Sequence, residues 1–270
     1  MHPEVLTNGD SRISAHELGR KIPEYRKTYD FAGRFIDDYH AWWNSCPTTG
    51  VKVGRRPRPT RAESLADPQY DIRDVPGSLR RADALKLYEL AYFCGGNAID
   101  LGTSFGLSCS IMAGAMEHAR SAGCIDTVDV DPHSQKLARI SVGRLPGAAR
   151  VKFHLGDAGQ FLADYAGGGR QAAFVFVDHA HSYERVLEAA RLMNAVVAPG
   201  GFVLFHDYND WRNSDPDDPA FADLWRGLPS GQDIGANRYG VYQAAHEGLS
   251  PQFQFHGAFG CTGLFRRMRS

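Results

Sequence analysis

The sequence lacks the features by which several protein classes are recognised. Its 30 lysines and arginines are balanced by 31 aspartates and glutamates, so no excess of positive charge attracts nucleic acid or an anionic membrane. No apolar run approaches the roughly 20 residues that a membrane span needs. The opening residues, MHPEVLTNGD, have neither the basic start nor the apolar stretch of a signal peptide. We therefore expect a cytoplasmic protein that binds neither nucleic acid nor membranes.

Cysteines are few and are not arranged in pairs. The five are odd in number and widely spaced, and no C-x-x-C motif occurs among them: Cys46, Cys94, Cys109, Cys124 and Cys261. This pattern argues against a disulfide framework and a C-x-x-C zinc or redox site, and it favours free thiols. Internal repeats are also lacking, which excludes solenoids and propellers.

The first 76 residues differ in texture from the rest. Apolar residues recur at helical spacing over about residues 24–43, which predicts a helix with one buried stripe. The following stretch, 47–76, is rich in proline and carries the basic cluster 55–61, which is typical of an extended connector, either a lid that holds an anionic substrate group or a plain solvated linker. We predict an N-terminal helical region with its connector over residues 1–76, capping a second domain over 77–270.

After Gly96, short apolar runs alternate with segments of helical length, which is typical of an α/β fold. The near-continuous apolar runs AAFVFV and FVLF are typical of strands buried on both faces of a parallel sheet. Five strands are predicted: Ala98–Leu101, Ile125–Val130, Val151–Leu155, Ala173–Val177 and Phe202–Phe205. Helices are expected to begin near Leu107, His133, Ala158 and Tyr183, with further helical stretches near Ala220 and Arg238. Two final apolar segments, Gln252–His256 and Thr262–Phe265, predict an antiparallel hairpin that closes a Rossmann-like, doubly wound sheet of five parallel strands.

A turn with two glycines follows the first predicted strand, in the segment AIDLGTSFG. Gly102 and Gly106 allow the backbone to turn tightly under a ligand at a helix N-terminus. Their G-x-x-x-G spacing is not the G-x-G-x-x-G of dinucleotide folds, which argues against a nicotinamide cofactor. Asp129 at the end of the second strand is placed to bind a ribose diol or, alternatively, to cap the next helix. Asp131 precedes Pro132 and is interpreted as the helix cap.

A further acid follows the third predicted strand. Asp157 lies at the same edge of the sheet, where it is placed either to accept the amino group of an adenine or to cap the helix that begins at Ala158. The sequence does not decide between these two roles.

Together these segments resemble the class I S-adenosylmethionine-dependent methyltransferases. AIDLGTSFG is similar to the glycine motif of that family, TVDVDP to its ribose-binding acid and LGDA to its adenine-side motif, over about residues 77–267. The stretch VPGSLRRADALKLYELAYF further resembles a group that includes natural-product and sugar O-methyltransferases. The resemblance implies S-adenosylmethionine as cofactor, bound by Gly102, Thr103, Ser104, Gly106, Asp129, Asp157 and Asp178.

Polar side chains also follow the fourth and fifth predicted strands, in the segments DHAHSY and LFHDY. If these strands are neighbours, their ends lie roughly 5 Å apart. Asp178, His206 and Asp207 are then placed to share one cation, without which two close carboxylates would resist ionisation.

The same segments are similar to those of metal-dependent O-methyltransferases such as catechol O-methyltransferase. By that resemblance Asp178, His206 and Asp207 occupy the metal positions. His206 departs from the family, because Asp or Glu is more usual there, and an imidazole suits Mn, Fe or Zn better than Mg. Two other roles for His206 stay open: a metal-free general base, and a histidine simply hydrogen-bonded under the loop. His181 is the other candidate general base, or else a cap for the helix at Tyr183.

We expect an enzyme that transfers the methyl group of S-adenosylmethionine to a hydroxyl of a small molecule, such as a sugar, a phenol or a secondary metabolite. A divalent cation (Mg, Mn, Fe or Zn) is expected to assist, with His181 as the catalytic base; without a metal, His181 or His206 would be the base. The alternatives are a metal-free O- or N-methyltransferase and a non-catalytic module that only binds the nucleoside. The resemblance also implies a homodimer.

Overall fold

The computed structural model describes residue 75 and residues 77–79, 81–228 and 238–269. The helix predicted over 24–43, the basic cluster 55–61 and Cys46 lie outside the described residues. The division into a region 1–76 and a domain 77–270 therefore stays a prediction.

Seven strands form one sheet in the order β3-β2-β1-β4-β5-β7-β6. Strands β1 to β5 are all parallel to one another, β7 is antiparallel to β5, and β6 is antiparallel to β7. The predicted parallel sheet with a C-terminal antiparallel hairpin is thereby confirmed. The strands are β1 (Ala98–Leu101), β2 (Ile125–Asp129), β3 (Val151–Leu155), β4 (Ala172–Val177), β5 (Val197–Phe205), β6 (Phe253–Phe259) and β7 (Thr262–Arg267).

The first described α-helix precedes β1, and the others lie between strands along the chain. The helices are α1 (Arg81–Phe93), α2 (Leu107–His118), α3 (Pro132–Val142), α4 (Ala158–Gly167), α5 (Tyr183–Val196), α6 (Ala222–Arg226) and α7 (Val241–Gly248). The helical stretch expected near Arg238 begins only at Val241. The backbone N–H groups of Tyr239 and Gly240 donate to the carbonyls of Arg212 and His181, so these two residues bridge two loops and do not start the helix.

The core lies along the two apolar strands that the sequence singled out. Phe174, Val175 and Phe176 of β4, and Leu204 and Phe205 of β5, are fully buried. This confirms that both strands are covered on both faces. Each such side chain contributes roughly 1.5–3 kcal/mol by leaving water. Among the described helices, none is long and apolar enough to cross a membrane.

Helix caps and cysteines agree with several local predictions. Asp131 is the N-cap of α3, where its carboxylate accepts the backbone N–H groups of His133 and Ser134. Asp157 is the N-cap of α4 and accepts the N–H of Gln160 at 3.1 Å. The four cysteines in the described part of the chain are free. These parts of the fold follow from residues close to one another in sequence.

Candidate active site

The turn after β1 brings two loops into close contact. Gly102 has φ +102, and a Cβ at this position would lie 2.2 Å from the backbone oxygen of Asp178. Only glycine therefore allows the turn after β1 to approach the loop after β4. The N–H groups of Gly102 and Thr103 both donate to the carbonyl of Val128, which fixes the turn against β2.

The second glycine of the turn, Gly106, is required for a different reason, which is the close approach of α3. Gly106 has φ +94, and a Cβ there would lie 2.9 Å from the Val142 side chain and 3.2 Å from that of Ala138 on α3. Its conformation is thus required for the turn and for packing of α2 against α3. Its predicted contact with the cofactor stays a prediction.

Asp129 organises the edge of the sheet between β1 and β2. Its Oδ2 accepts the backbone N–H of Ser104 at 2.7 Å, and its Oδ1 accepts that of Asp131 at 2.8 Å. Each carboxylate oxygen keeps a second lone pair that can accept a hydrogen bond from a hydroxyl. Since Asp131 caps α3, Asp129 is not needed for that task. Its predicted role on a ribose diol is compatible with these contacts.

A buried carboxyl that the sequence analysis did not single out lies beneath this turn. Asp100 of β1 is fully buried, and its Oδ2 accepts hydrogen bonds from Ser108 at 3.0 Å and Thr127 at 2.7 Å. Burial raises the pKa of Asp100 to about 7, although the two hydroxyls partly oppose this shift. Proton uptake by Asp100 therefore falls within the neutral range.

The loops after β4 and β5 form the second half of the site. Val177 pairs with Phe205, so the predicted adjacency of β4 and β5 is confirmed. The residues that follow them, Asp178 and His206, therefore lie side by side at the same edge of the sheet. Nδ1 of His206 lies 3.0 Å from Oδ1 of Asp178 and 3.6 Å from Oδ2 of Asp207. The three residues predicted to share a cation are therefore brought together.

His181 joins the same group. Its Nε2 lies 3.1 Å from Oδ2 of Asp207 and 3.5 Å from Oδ1 of Asp178. One ligand atom from each of Asp178, His181, His206 and Asp207 lies within 4.8 Å of the others. The sequence placed His181 nearby as a base but did not predict its convergence with both carboxylates. The N-cap of α5 is Ser182, so the capping role considered for His181 is not observed.

The electrostatics of the group are dominated by its two carboxylates. Burial lowers the pKa of His181, but the carboxylates of Asp178 and Asp207 outweigh it and raise the pKa to about 9. Burial likewise opposes protonation of His206, yet Asp178, Asp83 and Asp207 raise its pKa well above the usual value. Burial raises the pKa of Asp178, but His206 and His181 outweigh this effect and lower it overall. Without a metal, both imidazoles are therefore protonated at neutral pH.

Two further features hold the group in place. Asp207 has φ +51, a left-handed conformation that is uncommon outside glycine and that often accompanies functional sites. Its carbonyl accepts a hydrogen bond from the Asn213 side chain at 2.8 Å. On the other side of His206, Nε2 lies 3.7 Å from Oδ2 of the buried Asp83 in α1. Asp83 was not predicted, because α1 also carries Lys86 and Glu89 and nothing in its sequence distinguishes Asp83 from them.

Both halves of the site line one cavity of about 360 Å³. The backbone turn Gly102–Ser104 forms one side, and the four charged residues with Tyr239 form the other. Asp129, Asp157 and Gly106 are not among the described residues that line it. A ligand that fills the cavity would therefore touch the glycine turn and the charged group at once.

The charged group fits a divalent cation. Nε2 of His181 and Nε2 of His206 are both buried, and each lies near a carboxylate without forming a regular hydrogen bond among the described residues. Buried polar atoms are rarely left in this state unless a ligand or ion completes them. Two imidazoles with two carboxylates make a mixed nitrogen and oxygen donor set, which suits Mn, Fe or Zn better than Mg.

Solved structures with this fold were compared with the chain. It is similar to the O-methyltransferase TomG from Streptomyces achromogenes, involved in tomaymycin synthesis and solved with SAM, with 18% identity, a TM-score of 0.53, and 73% of this chain and 83% of that one covered. It is also similar to an O-methyltransferase from Bacillus cereus in complex with SAH, with 14% identity, a TM-score of 0.53, and 72% and 84% covered. At these identities the likeness shows the fold alone.

The sequence itself matches one family model. Comparison with curated proteins gave no match. Residues 99–208 match the model described as a methyltransferase domain, a stretch that runs from β1 to the loop after β5 and contains both halves of the site. Over these residues the chain is therefore similar to a methyltransferase domain, and the observed strand order agrees with the fold of the solved structures above.

Proposed function

We propose that this chain is an O-methyltransferase that moves the methyl group of S-adenosylmethionine to a hydroxyl of a small molecule, such as a sugar, a phenol or another secondary metabolite. The observation that carries the proposal is the single cavity in which the glycine turn faces Asp178, His181, His206 and Asp207. The two O-methyltransferases of the same fold, solved with SAM and SAH, support it.

The donor is assigned to the edge of β1 and β2. Asp129, whose carboxylate is already fixed by the N–H groups of Ser104 and Asp131, accepts hydrogen bonds from the ribose hydroxyls. The turn Gly102–Ser104 faces the methionine portion, and Asp157 lies at the adenine side. Because the methyl group of the donor is already activated by its sulfonium, the residues of this chain mainly position the acceptor oxygen.

The acceptor and a divalent cation are assigned to the ends of β4 and β5. Asp178, His206 and Asp207 would hold the cation. His181 would be a fourth ligand, because its Nε2 lies 3.5 Å from the carboxylate of Asp178 and 3.1 Å from that of Asp207. A bound cation would lower the pKa of the acceptor hydroxyl and stabilise the oxyanion. The negative field that raises the pKa of both imidazoles also attracts a cation, and ligation requires those imidazole protons to leave.

A metal-free methyltransferase with a histidine base is the alternative. With a pKa of about 9, His181 is protonated at neutral pH and is a poor acceptor of a further proton. His181→Gln separates the two roles. If His181 is a ligand, the variant binds Mn²⁺ more weakly than the wild type; if His181 is a metal-free base, the variant loses turnover and Mn²⁺ changes the activity of neither protein.

The proposal is tested with purified protein, labelled S-adenosylmethionine and a panel of hydroxylated acceptors. S-adenosylhomocysteine should bind in calorimetry, and at least one sugar, phenol or related acceptor should receive the label on oxygen. Methyl transfer to nitrogen alone, or no binding of the nucleoside, would contradict the proposal. Binding without transfer to any acceptor would favour a non-catalytic module.

A further inference from the structure

The side of the cavity next to His181 contains a stack of three side chains. The ring of Tyr239 is stacked on the imidazole of His181, with 4.5 Å between centroids and 15° between planes. The guanidinium carbon of Arg212 lies 3.9 Å from the centroid of the same Tyr239 ring. The aromatic ring is therefore in contact with two groups that carry positive charge when protonated, an arrangement favoured by the negative face of a tyrosine ring.

The outer end of the stack is held rigidly. Nε and Nη2 of Arg212 donate to the two carboxylate oxygens of Asp210 at 2.8 and 3.0 Å, and the backbone N–H of Arg212 donates to Oδ1 of the same residue. A bidentate pair of this kind fixes the plane of a guanidinium. The side chain of Asp210 is itself buried, so the pair is little exposed to solvent screening.

The backbone ties the stack to both loops of the site. The N–H of Tyr239 donates to the carbonyl of Arg212 at 2.8 Å, and the N–H of Gly240 donates to the carbonyl of His181 at 2.8 Å. A Cβ on Gly240 would lie 2.4 Å from the backbone of Tyr183, so the chain passes close against the start of α5. The position of Tyr239 is thus set by the loop after β4 and by the loop after β5.

His181 needs such support more than its neighbours do. Its side chain is 32% exposed, compared with 5% for His206 and 14% for Asp207. Its Nε2 lies 3.1 Å from Oδ2 of Asp207 but forms no regular hydrogen bond among the described residues. A flat ring packed against its face restricts rotation of the imidazole and keeps Nε2 directed at Asp178 and Asp207.

We propose that Tyr239, held in place by Arg212, is a positioning residue for the imidazole of His181. It keeps Nε2 of His181 directed at the other three members of the group of four, which is Asp178, His181, His206 and Asp207. The proposal deepens the function proposed above and rests on it for the cation. The aromatic ring does the positioning, because the contact with His181 is a stack of ring faces.

The test compares Tyr239→Ala, which removes the ring, with Tyr239→Phe, which keeps it. Calorimetry with Mn²⁺ alone measures the affinity of the group of four. Loss of a residue that orients a metal ligand typically costs about ten- to a hundredfold in metal affinity. We expect a loss of that size in Tyr239→Ala and recovery of most of the affinity in Tyr239→Phe. Tyr242→Ala is the matched control, since Tyr242 is half-exposed on α7 and does not line the cavity.

A second readout uses metal-free protein and does not depend on the cation. Long-range ¹H–¹⁵N spectra report the ring nitrogens of His181, which a His181→Gln spectrum assigns. Wild type and Tyr239→Phe should give one sharp set of His181 signals, and Tyr239→Ala should give broadened or averaged signals while the His206 signals stay unchanged.

The outcomes separate the two proposals. If the wild type binds no Mn²⁺, the cation in the proposed function is wrong, and the His181 spectra alone decide the role of Tyr239. If Tyr239→Ala keeps both the Mn²⁺ affinity and the His181 spectrum of the wild type, the positioning role is overturned. An equal loss in Tyr239→Phe and Tyr239→Ala also overturns it, because the hydroxyl and not the ring would then be responsible.

Discussion

The two sides of the cavity are built in different ways. The donor side, at the ends of β1 and β2, consists mainly of a backbone turn that Asp129 fixes through two N–H groups. The acceptor side, at the ends of β4 and β5, consists of charged side chains supplied by separate loops. A site of the first kind depends on local conformation, and one of the second kind depends on topology and on charge balance. Changes on one side should therefore leave binding on the other side largely intact.

The largest expected effect follows from removing a carboxylate of the acceptor side. In Asp207→Ala the group loses a predicted ligand and half of the negative charge that balances two imidazoles. We expect methyl transfer to fall by orders of magnitude, while the affinity for S-adenosylhomocysteine stays within about twofold. Kinetics on the acceptor panel and calorimetry of the nucleoside test both statements. A large loss of nucleoside affinity would contradict the separation of the two sides.

A second expected effect concerns the buried carboxyl under the donor side. The pKa of Asp100 is raised by burial to about 7 in the folded protein, above its usual value of 3.8. Its contribution to stability is therefore fully present below about pH 4 and is lost as the pH rises through 7. Asp100→Asn has no such dependence, so wild type should lose up to about 4 kcal/mol relative to this variant between pH 4 and 8.

Urea unfolding of the wild type and Asp100→Asn at a series of pH values measures this difference. The Asn side chain keeps an oxygen that can accept from Ser108 and Thr127, so the comparison isolates the charge. Parallel curves for the two proteins would show that Asp100 does not titrate in this range.

A smaller effect is expected from the acid at the end of β2. If Asp129 accepts the ribose hydroxyls, the hydrogen bonds to its charge contribute roughly 1.5–3 kcal/mol. Asp129→Ala should then weaken S-adenosylhomocysteine binding at least about tenfold and leave Mn²⁺ binding unchanged. Unchanged nucleoside affinity in calorimetry would remove Asp129 from the donor site.

The smallest effect is expected two residues further along the chain. Asp131 caps α3 through the N–H groups of His133 and Ser134 and does not line the cavity. Asp131→Ala should lower the melting temperature by a few degrees and leave nucleoside affinity unchanged, which makes it the matched control for Asp129→Ala. A nucleoside defect as large as that of Asp129→Ala would show that the two acids had been given each other's roles.

The two sides of the cavity also differ in how much of their structure the sequence predicts. The strands, the glycine turn and the cap at Asp131 depend on runs of apolar residues and on neighbours within a few positions, so the sequence predicts them. The adjacency of Asp178 and His206 follows once β4 and β5 are assigned as neighbours. In contrast, the approach of His181 to both carboxylates depends on the direction of one side chain. The contact of Asp83 with the Cys261 backbone joins residues far apart in sequence, which no local pattern indicates.

The role of Tyr239 illustrates the same limit. Tyr239 lies in a short segment before α7 with no motif around it. The role proposed for it depends on its ring contacts with His181 and Arg212, which only the structure shows. Gly102 is an intermediate case. The sequence indicated a tight turn there, but the reason for glycine is the approach of the Asp178 backbone.

The central claim is that a divalent cation on the acceptor side is needed for methyl transfer and not for donor binding. Chelation of the purified protein, followed by addition of Mn²⁺, Fe²⁺, Zn²⁺ or Mg²⁺, tests it on any acceptor that the panel identifies. We predict that turnover vanishes with the chelator and that nucleoside affinity does not. Because two imidazoles are in the donor set, Mn²⁺, Fe²⁺ or Zn²⁺ should restore turnover at lower concentration than Mg²⁺. Full turnover in excess chelator, with no metal in the protein, would contradict the claim and favour His206 or His181 as a general base.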